Sequence, residues 1–107
     1  MKKDLTLKET IDKSMQIREL YQSFEKKKLG TIWSVEEDML AFLSDAGVVA
    51  RLTMAHEKRW LHEDFENELK YKVSECFWWL MVISKRMDID LEKSFLEFID
   101  ERNSTLK

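Results

Sequence analysis

Four acidic residues are spaced so that helices would gather them. Asp38 and Asp45 are seven residues apart, and so are Glu68 and Glu75. Seven residues make close to two helical turns, so each pair lies along one face of its helix. If the two helices pack antiparallel, four carboxylates converge from two rails. Carboxylate oxygens are hard ligands that suit Mg²⁺ or Mn²⁺. These ions keep several of their waters, so a few protein oxygens suffice. The competing reading of each acid is a solvated flank. Glu37 has a structural task as a capping residue, Glu36 favours a positive helix start, and Glu75 has Lys72 one turn back. Against that, Glu75 opens the apolar run "CFWWLMVI" and has Tyr71, Trp78, Trp79 and Val82 around it on its own helix. A carboxylate there loses hydration, and its charged form needs a cation or a strong donor.

Other chemistries find little support. Cys76 is the sole cysteine, which excludes an intrachain disulfide, and its apolar setting marks it as a core residue rather than a nucleophile. His56 and His62 lie six apart in a polar stretch and form no dyad; without cysteines nearby they read as surface histidines rather than zinc ligands. There is no glycine-rich phosphate loop. The net charge of −3 gives no basic stripe for a nucleic-acid polymer. Lys26–Lys28 reads as a solvated helix end. No apolar run approaches the roughly 20 residues that cross a bilayer. The start "MKKDLTLKET" has no apolar stretch behind its lysines, so no leader and no membrane attachment are expected, and the cytoplasm is the default.

The elements that must position these acids are helices. The chain of 107 residues has no proline and only two glycines, with 44% apolar and 36% charged residues. That balance predicts one folded, mostly helical domain over residues 1–107. "TLKE" forms a capping box at Thr6 and Glu9, followed by Leu7, Ile11, Met15, Leu20 and Phe24 at helical spacing and a stop at Gly30. "SVEE" makes a second box at Ser34 and Glu37. The helix after it carries Met39, Phe42, Leu43, Ala46, Val49 and Ala50, and Gly47 inside it suggests a close helix–helix approach. "AHEKRWLHEDFEN" is the polar break. A third helix is expected from about Glu63 to Met87, then a fourth over "LEKSFLEFIDERN", capped by Asp88 or Asp90. Four helices with short connections predict a small antiparallel bundle. The third helix is apolar nearly all round, which calls for burial on more than one side and favours a dimer that packs third helices together.

The segment "SECFWWLMVISKRMDIDLEKSFLEF" resembles the second half of the MazG-like all-α nucleotide pyrophosphohydrolases: an acid, an apolar helix with an aromatic pair, a basic turn, "IDLE" and a last helix. The likeness covers residues 72–103, and "WSVEEDMLAFLSDAG" resembles the family's first acidic helix more loosely. It implies a MazG-like bundle, dimeric or larger. It also implies Mg²⁺ (or Mn²⁺) held by acids, and hydrolysis of a nucleoside triphosphate to a monophosphate and pyrophosphate. Two positions depart from the family pattern. The acid-x-x-acid pair reads "KVSE", with Lys72 where the first acid belongs. In the first helix, either Glu36 and Glu37 form the acidic pair and Leu40 stands at the third acid, or Asp45 is the third acid and Ala41 and Phe42 replace the pair.

On this resemblance the metal ligands are Asp38, Asp45, Glu68 and Glu75, with Glu37 and Glu75 in the chemistry. Lys85 and Arg86 hold phosphate oxygens, or simply complement the helix end, and Asn103 touches the nucleotide. The alternative is a catalytically lapsed helical interaction or scaffold protein in which Lys72 supplies a fixed positive charge to Glu75.

Overall fold

The computed structural model describes residues 4–107. Residues 1–3, which belong to the stretch read as lacking a leader, lie outside the described residues. The described chain is all helical: α1 (Leu7–Leu29), α2 (Val35–His56), α3 (Phe65–Arg86) and α4 (Leu91–Leu106), with no strand among the described residues.

Both capping boxes form. Thr6 Oγ1 accepts from the Glu9 amide at 3.1 Å, and the Glu9 carboxylate accepts from the Thr6 amide at 3.0 Å. Ser34 and Glu37 repeat the exchange at 3.2 and 2.8 Å. Each box satisfies two amides that a helix start leaves open. Asp90, not Asp88, caps α4, accepting from the Lys93 amide at 3.1 Å.

The helix ends are less uniform. Gly30, at φ 78°, closes α1 in the left-handed region at no steric cost. After α2 and α3 the same turn is made without glycine. Lys58 and Asp88 have φ 63° and 59°, and the residue after each donates back across the turn, Arg59 to Met54 at 2.7 Å and Ile89 to Ser84 at 2.9 Å. This is the Schellman pattern, in which orphan carbonyls are satisfied by the turn that ends the helix. Asp64 is also left-handed, at φ 53°, so α3 begins at Phe65 rather than Glu63.

The chain divides into two compact units: the segment up to Ile32 with Met81–Lys107, and Trp33–Leu80. In the first, Ile11, Met81, Val82 and Ile83 are the buried apolar residues, and Ser14 Oγ donates to Met81 Sδ at 3.9 Å. Arg18 is also buried there, its guanidinium gripping both oxygens of Glu25. The Glu92 carboxylate of α4 accepts from the Lys8 amide of α1 at 3.0 Å. In the second unit Leu52, Ala55 and Trp79 are the buried apolar side chains.

No helix among the described residues is long and apolar enough to cross a membrane. One expectation fails. A Cβ added at Gly47 would meet nothing within 4 Å, so this glycine serves no close helix contact. It borders an open groove instead, with Ser44, Arg51 and His62.

Candidate functional site: a lysine between two carboxylates

Within the second unit, α2 and the first part of α3 form a helical hairpin across residues 57–64. Asp45 lies eleven residues before the end of α2. Lys72 to Trp79 lie seven to fourteen residues after the start of α3. At 1.5 Å rise per residue these positions are level only if the two helices run antiparallel. Lys72, Glu75 and Trp79 follow one another at three and four residues, so they share one face of α3.

That face meets Asp45. Lys72 Nζ donates to Asp45 Oδ1 at 3.1 Å and to Glu75 Oε1 at 3.0 Å. Trp79 Nε1–H donates to Asp45 Oδ2 at 2.9 Å. Both oxygens of Asp45 are therefore engaged by protein donors. The three charged side chains retain 25%, 16% and 26% of their exposure for Lys72, Asp45 and Glu75, so the cluster is mostly withdrawn from water. Hydrogen bonds to Glu75 and then Asp45 raise the Lys72 ammonium from its usual range to about 12, against the opposing pull of desolvation. The ammonium is thus charged at any physiological pH. Beside it, burial first and the two carboxylates next push the Cys76 thiol upward, which disfavours its thiolate.

The other residues expected at a site fall elsewhere. Asp38, in the same unit, is fully buried at 0% exposure. No buried side-chain N or O atom among the described residues lacks a hydrogen-bond partner, so its carboxylate is already satisfied. Glu37 is spent on its capping box. Glu68 faces His62 at 3.6 Å on the Gly47 groove, not Asp45. Lys85, Arg86 and Asn103 belong to the other unit. Lys85 lies 3.9 Å from Asp12, and Asn103 is exposed on α4. Of the metal set Asp38, Asp45, Glu68 and Glu75, Asp45 and Glu75 come together, and the cation between them is Lys72. Among the described residues no group of three or more His, Cys, Asp or Glu side chains is placed to hold a metal ion. Magnesium requires near-octahedral oxygens at about 2.0–2.1 Å. The donor set does not fit that ion while the ammonium stands between its two carboxylates.

The residue that sequence reasoning missed is Trp79. In the sequence it stands only among the apolar neighbours of Glu75, yet its indole N–H fixes Asp45. The signal was present in the spacing, since Trp79 stands one turn beyond Glu75 on the face that carries Lys72.

No family model, no curated protein and no solved structure matches this chain.

Proposed function

We propose that this chain is a helical interaction module of the MazG-like kind, in which hydrolysis has lapsed and an internal ammonium serves where a metal ion would otherwise neutralise the acids. One observation carries the reading: Lys72 Nζ bridges Asp45 of α2 and Glu75 of α3 at 3.1 and 3.0 Å. The bridge ties the two helices of the hairpin as a cation shared between carboxylates would. It differs from a metal in having no coordination position to offer a substrate or a water. A single fixed positive charge leaves the pair of acids near one net negative charge. A second cation would have to displace the ammonium and then sit beside it. In this reading Glu37, Asp38 and Glu68 are structural residues, and the chain works by presenting helical faces, first of all to a second copy of itself.

The competing reading is the Mg²⁺-dependent pyrophosphohydrolase that the resemblance implies, acting on a nucleoside triphosphate. Thermal unfolding against millimolar Mg²⁺ or Mn²⁺, with and without a nucleoside triphosphate, separates the two. Any ligand that binds only the folded state must raise the unfolding temperature. The module reading expects no shift in the wild type. It expects a metal-dependent rise in Lys72→Glu, where three carboxylates meet without the ammonium. A rise in the wild type, joined to pyrophosphate release that Glu75→Gln abolishes, overturns the module and establishes the hydrolase.

A further inference from the structure

The fold gives Gly47 no task. It stands in the middle of α2, where a glycine costs helix stability against alanine. Of the two glycines, Gly30 is the one that needs a positive φ. No atom lies within 4 Å of where a Gly47 Cβ would stand, so no packing partner accounts for it either. Its missing side chain instead leaves open a groove of about 470 Å³, within the size range of small-molecule sites. Glycine is the residue that lets a ligand come close to the backbone.

The groove carries an apolar floor and two opposite charges. Val48 and the buried Leu52 follow Gly47 on the same face of α2 and supply the floor. Arg51, on that face too, lays its guanidinium 4.7 Å over the Trp60 ring. Stacking occupies the flat face of the guanidinium and leaves its N–H edge exposed. Among the described residues no carboxylate takes that edge, and a guanidinium edge matches a carboxylate fork. Glu68 lines the groove from α3. The imidazole of His62 stands 3.6 Å from its carboxylate, beyond hydrogen-bond reach, so Glu68 keeps an oxygen open to a donor.

We infer that this groove binds a free α-amino acid with an apolar side chain. The ligand carboxylate meets the edge of Arg51, its ammonium meets Glu68, and its side chain lies over Gly47 against Val48 and Leu52. Charge selects this class. A simple anion gains Arg51 and is repelled by Glu68, and a simple cation meets the reverse. A neutral apolar ligand would desolvate both charges without pairing either. A zwitterion pairs both and covers the floor. The inference goes beyond the module reading and makes no use of the Lys72 bridge, so either can fail without the other.

Titration of L-leucine into the isotope-labelled full chain, read by amide chemical shifts, tests this. Saturable shifts are expected at Gly47, Val48 and Arg51. N-acetyl-L-leucine lacks the ammonium and L-leucinamide lacks the carboxylate, so each should bind about 10-fold or more weakly than leucine. Arg51→Gln should weaken leucine by a similar factor and leave leucinamide unchanged. Glu68→Gln should weaken leucine and leave N-acetyl-leucine unchanged. A general loss of structure does not produce that crossover. Gly47→Leu fills the groove from an open helix face, so it should abolish binding while the unfolding temperature stays at or above that of the wild type. If that variant unfolds early, Gly47→Ala takes its place and should weaken leucine binding. The absence of saturable groove shifts with L-leucine or L-phenylalanine at tens of millimolar overturns the inference. So do equal binding of the three leucine compounds, leucinamide binding that falls together with leucine in Arg51→Gln, and undiminished leucine binding in the glycine variant.

Discussion

Arg18 in one unit and Lys72 in the other are both cations held by carboxylates, and they are built on different plans. Arg18 is 1% exposed, and its planar guanidinium meets the Glu25 carboxylate through two parallel bonds of 2.7 and 3.1 Å. Both residues belong to α1, two turns apart, so this pair ties no second helix. A guanidinium is weakly hydrated and pre-organised for such a fork, which is why it tolerates burial. Lys72 is a compact point charge, partly open to water, and it reaches two carboxylates on two helices. The first arrangement depends on a planar fork that a point charge does not reproduce. The second requires only a positive charge at one point, the kind of site where a lysine and a metal ion can stand in for one another.

The largest expected effect follows from the fork. Glu25→Ala removes the carboxylate fork from the buried Arg18 guanidinium, and losing a hydrogen bond to a charged group costs about 1.5–3 kcal/mol. Urea unfolding reads this as a lowered midpoint. A loss below 1 kcal/mol would mean that Arg18 is carried by its other neighbours and that the contrast with Lys72 is smaller than drawn.

Lys72→Met keeps the side-chain stem and removes the charge. Partly exposed ion pairs contribute about 1 kcal/mol or less, so a loss of about 1 kcal/mol is expected. In the same samples a change in tryptophan emission that is absent in a Trp79→Phe background should report the altered Asp45 carboxylate. A loss as large as that of Glu25→Ala would place both pairs in one class.

Gly47→Ala sets a scale that touches neither pair. The added methyl meets open space, and alanine restores helix propensity in the middle of α2, so stability should rise by about 0.5–1 kcal/mol. A fall would show that the groove beside Gly47 is filled in solution.

The smallest effect is in the pH dependence. Lys72 is raised to about 12 in the folded chain from 10.5 unfolded. A raised ammonium contributes stability that is fully present below the unfolded value and fades as pH climbs through the folded one. The gap between wild type and Lys72→Met should therefore be flat from neutral pH to 10.5 and close toward pH 12. A gap that closes below pH 9 would contradict the double hydrogen bond.

Much of the local structure is legible in the residues alone. Thr6 with Glu9, and Ser34 with Glu37, announce two helix starts because a capping box is a contact between neighbours in sequence. Gly30 announces an end for the same reason. The ends at Lys58 and Asp88 carry no such mark, because each borrows a left-handed turn that its residue type does not favour, and the hydrogen bonds closing the turn decide it. The candidate site divides the same way. The pairing of Lys72 with Glu75 is readable from a spacing of three. That Asp45 is the third member, that Trp79 holds its other oxygen, and that Glu68 turns away to His62 are not readable, since each depends on the rotation of α2 against α3.

By itself, then, the sequence determined which segments are helical, where two of them begin, and that acids and a lysine would crowd one face of α3. Such facts follow from interactions within a turn or two of chain, where spacing dictates contact. Only the tertiary structure decided that the lysine lies between two carboxylates of different helices. It also decided that α4 keeps its apolar face uncovered, because what a side chain meets across a helix pair depends on register and rotation that no local pattern encodes.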